Sequence, residues 1–464
     1  MVRIFRHYVP GSLVLLGVAE ALVLALSVHG GTALWTFETG GTSKELVEFL
    51  GLKSVLFAVV MLSSLTAMGL YWRDLRVSTL WLILLRVVGA FFLGILVLTI
   101  LFYVVPFVLI GRGALFNAVV LSFAGVIAAR TVHHFVADHE AMKKRVLVVG
   151  AGTNASQIET LRRKTDWHGF RLVGYFHIPG EHDVVSPDKI LDRDRPLLDL
   201  VNDCQVDELV VAIDDRRKAF PVDEILECKM RGLEVLDLIT FFERQTRKIK
   251  LDALHPSSLI FSDGFSKAVL KNYSKRIFDL LSSLVLLAVV WPFMLVTAGA
   301  IWLESGGPIL FRQTRVGRNS KPFNVLKFRS MRVDAEKDGE AKWAEKDDPR
   351  VTKVGKVIRK FRIDELPQLL NVLRGEMSFV GPRPERPEFV EQLAKEIPFY
   401  HLRHKVNPGI TGWAQISYPY GASRQDAVEK LQYDLYYIKN YSLLFDLVIL
   451  FQTAYAVLGG RGAR

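Results

Sequence analysis

Cysteine is nearly absent from this chain of 464 residues, which has only Cys204 and Cys228. Neither lies in a Cys-x-x-Cys or Cys/His pattern, so the sequence predicts no zinc site and no disulfide framework. Such cysteine usage is typical of a protein that faces a reducing compartment. The chain is basic, with a net charge of +11, but it contains no signature of a nucleic-acid-binding module. We therefore expect no nucleic-acid partner.

Two further absences narrow the class of protein. No Tyr is followed four positions later by Lys, although resemblance to the short-chain sugar-nucleotide reductases would require that pair. No Ala-x-Ala cleavage site follows the first apolar segment, and three more apolar segments come after it. A removable signal peptide is therefore not expected.

Apolar residues are abundant instead. Half of the residues are hydrophobic and the mean hydropathy is +0.24, which is typical of a membrane protein. Four apolar segments are each long enough to cross a hydrocarbon core of about 30 Å as a helix: residues 9–28, 54–72, 87–110 and 113–129. Basic residues flank one side, whereas the loop at 30–49 holds three Glu and one Lys. The positive-inside rule places both ends of this four-span bundle in the cytoplasm.

Glu20 is a carboxylate inside the first apolar segment. A charge in the membrane is costly, so such a residue is a functional candidate. The alternative is a packing residue, either protonated or bonded to a partner. We favour the packing interpretation.

A soluble α/β region is predicted after the bundle. Residues 144–150 have the pattern of a buried parallel strand, and strand-like runs at 172–176, 208–213 and 233–238 alternate with helical patterns. The turn Gly150-Ala-Gly152-Thr-Asn-Ala155 is a relaxed form of the dinucleotide-binding pattern, and a helix through Arg163 should follow it. We expect a small, doubly wound, Rossmann-like domain. Its turn indicates either nucleotide binding or only a tight strand–helix connection, and the short pattern favours the second.

A different pattern begins near residue 275. Between Ser274 and the C-terminus, Lys and Arg outnumber Asp and Glu by 29 to 20, which suits phosphates or anionic headgroups. Residues 277–303 are almost uniformly apolar, with Pro292 near the middle and cations on both flanks. Proline kinks a helix, and a simple span should carry its positive charge on one side. We predict a helix that enters the membrane, bends and returns to the same face; a kinked fifth span is the alternative.

Cations follow this helix in an apolar context. Four of them are interleaved with apolar residues: Arg312, Arg315, Lys327 and Arg329. They suit a membrane-facing site for phosphates, or they only extend toward the interface. Arg383 lies between two prolines, which fix the backbone that carries its guanidinium. The apolar run at 442–458 is short and contains Asp446, so we predict an interfacial helix there.

Two adjacent carboxylates, Asp364 and Glu365, stand near the start of the segment Ile363-Asp-Glu-Leu-Pro-Gln-Leu-Leu-Asn-Val-Leu-Arg-Gly375. We predict that Asp364 caps a helix, with Pro367 in the first turn and Gly375 as its stop. A carboxylate there can ligate Mg²⁺ together with substrate phosphates. It can also attack phosphorus to give an acyl-phosphate. Taken alone, a plain capping pair is the commoner explanation.

Together these motifs resemble those of the bacterial polyprenyl-phosphate sugar-1-phosphate transferases, in the large form of that family. The resemblance covers about 190 residues from Ser274 to the C-terminus. The matching motifs are Lys-Arg-Ile-Phe-Asp279, Phe-Arg-Gln-Thr-Arg315, Lys-Phe-Arg-Ser-Met331, Asp364-Glu-Leu-Pro-Gln-Leu-Leu-Asn371, Met-Ser-Phe-Val-Gly-Pro-Arg-Pro384, Arg403-His-Lys-Val-Asn-Pro-Gly-Ile-Thr-Gly-Trp-Ala-Gln415 and Tyr436-Tyr-Ile-Lys-Asn440.

The resemblance implies transfer of a sugar-1-phosphate from a UDP-sugar to undecaprenyl phosphate, with Mg²⁺ and release of UMP. This is the first membrane step of exopolysaccharide or O-antigen synthesis. It implies Asp364 as the nucleophile and Glu365 as its partner, both candidate ligands of the metal. The candidate substrate-binding residues are Lys327, Arg329, Arg359, Arg383 and Asp434, of which Arg359 and Arg383 would meet phosphates.

Two positions depart from the family pattern. The membrane-helix break is usually Ser-Pro, and here it is Trp291-Pro292, which keeps the kink and loses the hydroxyl. After Trp-Ala-Gln, small members carry Asn-Gly-Arg, whereas this chain has Ser417-Tyr-Pro-Tyr-Gly421. A cation near the nucleotide sugar is missing or moved, so the identity of the sugar stays open.

The expected architecture has three parts: a four-span α-helical membrane bundle (1–140), a Rossmann-like α/β domain (141–262) and a mainly α-helical monotopic catalytic domain (263–464) with a re-entrant helix at 276–303. The expected location is the bacterial inner membrane, with the catalytic domain among lipids on the cytoplasmic face. A homodimer is left open. Two alternative functions are a sugar-nucleotide dehydrogenase or dehydratase that uses the Rossmann-like region, and a non-enzymatic scaffold for polysaccharide export, which would not need Asp364.

Overall fold

The computed structural model describes residues 2–4, 7–9, 11–40, 48–71, 80–137, 143–161, 164–167, 169–192, 195–215, 220–254, 269–333, 350–418, 421 and 423–458. The chain forms two compact units. The first comprises Met1–Ile4 and Tyr8–Thr246, and the second comprises Phe5–His7 and Arg247–Arg464. The domain boundaries predicted at 140/141 and 262/263 lie outside the described residues.

Long apolar helices dominate the N-terminal part. After two short strands, Val2–Ile4 (β1) and His7–Val9 (β2), come Gly11–Thr39 (α1), Leu50–Ala67 (α2), Leu80–Val104 (α3) and Arg112–Ala137 (α4). By length and composition all four helices qualify as membrane spans. Helices α1 and α4 approach closely at Gly31, where a Cβ atom would lie 2.5 Å from the backbone nitrogen of Ala118. Small residues permit such close crossings between membrane helices.

Glu20 of α1 is fully buried and has partners within this bundle. The Nε and Nη2 atoms of Arg130 on α4 lie 2.7 and 2.9 Å from its two carboxylate oxygens. The Tyr71 hydroxyl donates to the same carboxylate, and the Arg130 guanidinium stacks over the Tyr71 ring at 5.1 Å from its centroid. These contacts support the packing interpretation of Glu20.

We predict that Glu20→Gln lowers the free energy of unfolding by about 3 kcal/mol, because the Arg130 charge stays buried without a counter-charge. Thermal unfolding of the detergent-solubilised protein measures this loss. The double variant Glu20→Gln/Arg130→Gln serves as the control and should recover part of the stability, since no unpaired charge remains. A double variant less stable than Glu20→Gln alone would contradict the assignment.

A parallel four-stranded sheet forms the α/β part of the first unit. Its strands are Lys144–Val149 (β3), Phe170–Phe176 (β4), Glu208–Val211 (β5) and Glu234–Asp237 (β6), paired in the order β4-β3-β5-β6. One helix follows each strand: Thr153–Ser156 (α5), Leu197–Asp203 (α6), Val222–Met230 (α7) and Leu238–Thr246 (α8). The central strands β3 and β5 are buried on both faces, which explains their continuous apolar sequence.

The helix expected after the glycine turn is shorter than the sequence suggested. Helix α5 ends at Ser156, and the chain continues to Leu161 through bonds between residues three apart, such as the Leu161 amide to the Ile158 carbonyl at 3.2 Å. Arg163, the expected end, lies outside the described residues.

The second unit contains one long helix, Val269–Ser305 (α9), which remains helical through Pro292. Its other helices are Lys353–Lys360 (α10), Gln368–Arg374 (α11), Pro387–Glu396 (α12), Trp413–Ser417 (α13), Arg424–Asn440 (α14) and Leu443–Leu458 (α15). Leu310–Val316 (β7) and Pro322–Phe328 (β8) form an antiparallel hairpin, and Ser378–Val380 (β9) pairs in parallel with Gly409–Thr411 (β10). Of the interleaved cations in residues 309–331, Arg312, Arg315 and Lys327 therefore lie on strands, and Arg329 directly follows β8.

The N-terminal part of α9 is bonded to neighbouring elements of this unit. The Asp279 carboxylate accepts hydrogen bonds from Ser378 Oγ at 3.0 Å and from the Phe379 amide at 3.1 Å, both on β9. The Arg276 guanidinium donates to the Leu373 carbonyl at 2.7 Å. A cation there satisfies the free carbonyls at the C-terminus of α11.

The C-terminal end of α9 is bonded to the same unit. The Glu304 carboxylate accepts from the amides of Lys353 and Val354 at 2.8 and 3.0 Å, and so caps the first turn of α10. The Arg329 Nη2 atom donates to the Ser305 hydroxyl and carbonyl at 2.7 and 3.1 Å. Between the two ends, one face of α9 is buried, with Ser283 and Thr297, whereas apolar side chains elsewhere on the helix are exposed, among them Leu281, Val285, Val289, Phe293 and Val296.

The hairpin is held against α11 by Asn371, which is fully buried. Its Oδ1 atom accepts from the Leu326 amide at 3.0 Å, and its Nδ2 atom donates to the Asn324 carbonyl at 2.8 Å. The side-chain amide thus satisfies edge groups of β8 that a neighbouring strand would otherwise pair. This contact fixes Lys327, the next residue of β8, in front of the segment that leads into α11.

Candidate active site

Glu365 lies at the centre of a group of cations. Its Oε1 atom is 3.7 Å from Lys327 Nζ and 3.6 Å from Arg383 Nη2, and its Oε2 atom is 3.3 Å from Arg362 Nη1. The three cations come from β8, from the loop after β9 and from the turn before Asp364. A carboxylate with only 11% of its side chain exposed therefore joins three separate segments by charge.

Asp364 does not cap a helix, contrary to the prediction. It lies inside the 3₁₀ turn Ile363–Glu365, and α11 begins only at Gln368. An N-cap needs an extended backbone and amides within reach of its side chain, whereas here the left-handed Arg362 (φ 55°) bends the chain just before the turn. The predicted stop is confirmed, because Gly375 ends α11 with φ 83°.

The two adjacent carboxylates have opposite electrostatic surroundings. Burial and the neighbouring Glu365 charge raise the pKa of Asp364 from its usual 3.8 to about 6, although Lys327 and Arg359 pull it down. Burial alone would raise the pKa of Glu365 as well, but Lys327, Arg383 and Arg362 outweigh it and lower that pKa to about 2. Glu365 is therefore a permanent anion, and Asp364 is a carboxylate of unusual basicity.

The Asp364 side chain is available for chemistry. Within the described part of the chain, its carboxylate has no hydrogen bond and no ion pair within 4 Å, while the charges of Lys327 and Arg359 act on it from nearby. Oxygen donors of this kind suit Mg²⁺, which usually takes one or two carboxylates and shares its remaining positions with phosphates and water. Asp364 fits that role, whereas Glu365 is already engaged by three cations.

Arg383 is held from two sides. Its Nη1 atom donates to Gln415 Oε1 at 3.1 Å, and its backbone carbonyl accepts from Arg403 Nη2 at 3.0 Å. Arg403 in turn forms a buried ion pair with Asp434 at 2.9 Å. The structure therefore connects Asp434 to the site through Arg403. Asp434 lies behind Arg383 and not beside Asp364 and Glu365.

Not every predicted residue joins this group. Arg329 is buried, and its Nη2 atom is bonded to the C-terminal end of α9 at Ser305 and Gly306. A helix C-terminus with free carbonyls attracts such a cation. A part for Arg329 in substrate binding stays a prediction that these contacts do not support. Pro292 lies within the exposed middle of α9.

Four residues of the site were missed by sequence reasoning: Arg362, Asn371, Arg403 and Gln415. Each lies inside a motif quoted for the resemblance or within two residues of one. The spacing of Arg362, two positions before Asp364, predicts proximity only if the intervening turn is known. The pairing of Arg403 with Asp434 joins residues 31 positions apart, and no local pattern indicates it.

The glycine turn of the first unit is occupied by the chain's own carboxylates. Asp214 accepts from the amides of Thr153 and Asn154 at 2.8 and 2.7 Å, and Glu181 accepts from the Ala151 amide at 2.9 Å. Gly152 lies so close that a Cβ atom would be 2.4 Å from Asp214 Oδ2. In a dinucleotide-binding turn, amides at this position face a phosphate.

Comparison with known proteins identifies a family for the second compact unit. A family model described as bacterial sugar transferase matches residues 270–460. The UDP-glucose:undecaprenyl-phosphate glucose-1-phosphate transferase of Escherichia coli (strain K12) is 35% identical over 328 residues, which are 68% of this chain and 68% of that protein. The chain belongs to the bacterial sugar transferases.

Other members of the family match different shares of the chain. The UDP-N-acetylgalactosamine-undecaprenyl-phosphate N-acetylgalactosaminephosphotransferase of Aeromonas hydrophila is 45% identical over 240 residues, 52% of this chain and 56% of its own length. The chain thus spans little more than half of that relative. The exopolysaccharide production protein PSS of Rhizobium leguminosarum bv. phaseoli is 45% identical over 193 residues, 40% of this chain and 94% of that protein.

We predict that Asp364→Asn and Glu365→Gln change stability in opposite directions at pH 7.5. Folding raises the pKa of Asp364 from 3.8 to about 6. Ionisation of Asp364 therefore lowers the stability of the fold as the pH rises through this range. Asn cannot ionise, so the variant avoids this loss. Because folding lowers the Glu365 pKa, its ionised form contributes stability above pH 4.5, and Gln removes the gain. Each effect is about 3 kcal/mol at most, at about 1.4 kcal/mol per pKa unit.

Thermal unfolding at pH 7.5 and at pH 5 measures both effects. The stability advantage of Asp364→Asn over the wild type should shrink at pH 5, where Asp364 is largely protonated. The deficit of Glu365→Gln should persist there. Equal shifts of the two variants in one direction would show that the two carboxylates do not differ as described.

Proposed function

We propose that the protein transfers a sugar-1-phosphate from a UDP-sugar to undecaprenyl phosphate and releases UMP, as the first membrane step of exopolysaccharide or O-antigen synthesis. The observation that carries the proposal is the unusually basic Asp364 carboxylate, which has no ion pair among the described residues and lies beside a cation group centred on Glu365. The activities for which the relatives from Escherichia coli and Aeromonas hydrophila are named support the same reaction.

In the first step, a carboxylate oxygen of Asp364 attacks the phosphorus that carries the sugar. A bond between that oxygen and phosphorus forms, and the bond between phosphorus and the bridging oxygen breaks, so UMP leaves with the bridging electron pair. In the second step, a phosphate oxygen of the lipid attacks the same phosphorus and Asp364 leaves as a carboxylate. Each step exchanges one P–O bond for another, and an acyl-phosphate separates the two.

The cations of the site neutralise the phosphates in this reaction. Lys327 and Arg383 both pair with Glu365, the residue next to Asp364, and the Lys327 charge also acts on Asp364. A diphosphate placed against Asp364 would meet these two cations. The charge of Arg359 on α10 also acts on Asp364. Glu365 keeps Lys327 and Arg383 ordered before substrate arrives, which reduces the entropy lost on binding.

Magnesium fits this donor set, with Asp364 as the protein ligand and the substrate phosphates as the others. When bound, the ion would neutralise charge on the diphosphate and so favour departure of UMP. Glu365, a candidate ligand by resemblance, has both oxygens directed at cations, so we assign it to ordering those cations instead.

The membrane bundle is proposed to have four spans, with α9 as a re-entrant fifth helix. Both ends of α9 are bonded to one compact unit, through Asp279 and Arg276 at one end and Glu304 at the other. From Asp279 to Glu304 a straight helix would extend about 37 Å, more than a hydrocarbon core of about 30 Å. A spanning helix would put these two sets of contacts on opposite faces. A helix that bends at Pro292 and returns keeps them, and Asp364, on the cytoplasmic face.

The sheet of the first unit is proposed to be a Rossmann-like domain with a structural or regulatory role. The amides of its glycine turn are satisfied by Asp214 and Glu181, which supports a tight connection and not a phosphate site. The dehydrogenase or dehydratase alternative would need those carboxylates to give way to a dinucleotide.

We predict that purified protein incubated with UDP-sugars, undecaprenyl phosphate and Mg²⁺ releases UMP, and that Asp364→Asn lowers the rate at least about a thousandfold. Without the lipid, intact-protein mass spectrometry should show one sugar-phosphate added to the wild type and none on Asp364→Asn. Asp223→Asn, at an exposed position of α7, serves as a matched Asp-to-Asn control with normal rate. Normal UMP release by Asp364→Asn would contradict the nucleophile, and activity dependent on bound nicotinamide would favour the alternative enzyme.

The topology is tested by single cysteines at Ser320 and Ser442, in a variant without Cys204 and Cys228. Ser320 follows β7 and Ser442 precedes α15, so both lie in the second unit. An impermeant maleimide should label neither site in intact cells and both after lysis. Labelling of either site without lysis would mean that α9 spans the membrane. Pro292→Leu, which favours a straight helix, should increase such labelling.

A further inference from the structure

We propose that residues 247–254, here called the strap, are a positioning element for Arg383. The strap lies upstream of residues 270–460, where the family model matches, yet it belongs to the second compact unit. Arg247, its first residue, has a positive φ of 54°, which is uncommon for a residue with a Cβ atom. Such strain persists only where surrounding contacts hold it.

The strap is bonded to α13. The indole Nε1 atom of Trp413, the first residue of α13, donates to the Arg247 carbonyl at 3.0 Å. Trp413 is buried, and its ring packs against Phe445 at 5.1 Å between centroids. A buried indole N–H needs an acceptor, so the strap supplies a bond that fixes the position of α13.

The strap is also bonded to α14. The Ile249 amide donates to the Gln432 carbonyl at 3.0 Å, and the Ile249 side chain is buried, with 1% of it exposed. The Lys248 ammonium pairs with Glu429 at 2.7 Å and lies 5.9 Å from the centre of the Tyr433 ring. Consecutive strap residues therefore hold one helix by its backbone and by its side chains.

Both helices that the strap joins support Arg383. Gln415 of α13, two residues after Trp413, accepts from the Arg383 guanidinium. Asp434 of α14, two residues after Gln432, pairs with Arg403, which holds the Arg383 carbonyl. The strap therefore joins α13, whose Gln415 orients the Arg383 side chain, to α14, whose Asp434 holds Arg403 against the Arg383 backbone. Its release would let the two supports move independently.

The strap is continuous with the preceding part of the chain. Thr246 is the last residue of α8, and Arg247 begins the strap. The activity readout rests on the proposed function, whereas the contacts of the strap with α13 and α14 are independent of it.

The test uses the full-length protein in detergent with a UDP-sugar that supports transfer. Trp413→Phe removes the indole donor and keeps an aromatic ring, and Ile249→Pro removes the strap amide. Ile249→Val keeps the amide and is the matched control, and Asp223→Asn changes an exposed residue of α7 outside the strap. We expect Trp413→Phe and Ile249→Pro to lower kcat/KM between about tenfold and a hundredfold, the scale for a displaced positioning group, and both controls to stay within about twofold.

A double-mutant cycle separates positioning from general damage. In an Arg383→Lys background, Trp413→Phe should lower kcat/KM by less than about twofold further, because the group it positions has already changed. If Arg383→Lys shows no measurable transfer, the same cycle is run on the Kd of UDP by calorimetry. Ile249→Pro is replaced by Lys248→Gln if it fails to fold. The proposal would be overturned if Trp413→Phe lowered kcat/KM by the same factor with and without Arg383→Lys, or if Trp413→Phe alone had normal kinetics.

The failure of this proposal is distinguishable from failure of the proposed function. If the wild type transfers no sugar-phosphate from any UDP-sugar, the function is wrong, and the UDP-binding cycle alone decides about the strap. If the wild type is active and the cycle is multiplicative, the function stands and the strap is only structural.

Discussion

One carboxylate holds the segments of the candidate active site together. Glu365 attracts Lys327 from β8, Arg362 from the preceding turn and Arg383 from the loop after β9. Burial raises the pKa of Asp364, and the same anion raises it further, because two adjacent negative charges oppose each other's ionisation. The residue that joins the segments therefore also adds to the basicity of its neighbour. The stability gained at Glu365 offsets the stability lost at Asp364.

Much of the site was predictable, because its residues lie in short motifs whose chemistry is local. The adjacent pair Asp364 and Glu365, the rigid loop of Arg383 and the stop at Gly375 all appear within a few residues. The apolar helices were also predictable, since spans of uniform hydropathy need no knowledge of tertiary contacts. The strand runs of the first unit followed from the apolar pattern of buried parallel strands.

The rest depends on contacts between distant positions. Asp364 was expected to cap a helix, but the left-handed backbone of Arg362 places Asp364 inside a turn. An arginine in the sequence does not predict a positive φ at its position. Arg329 shares a motif with Lys327 and lies two residues after it, yet Lys327 pairs with Glu365, whereas Arg329, beyond the end of β8, bonds to the C-terminal end of α9. The strap has neither a motif nor periodicity. Its contacts with Trp413 and Gln432 become visible only when the chain is folded.

The side chain of Asn371 has a consequence beyond the site. A hairpin of two strands exposes unpaired peptide groups along its outer edges, and such edges invite strands from other molecules. Asn371 occupies that edge of β8 with both atoms of its amide. A membrane confines many copies of a protein to one plane, where collisions between like surfaces are frequent. By closing the edge with a side chain, the protein guards this hairpin against edge-to-edge aggregation without adding a third strand.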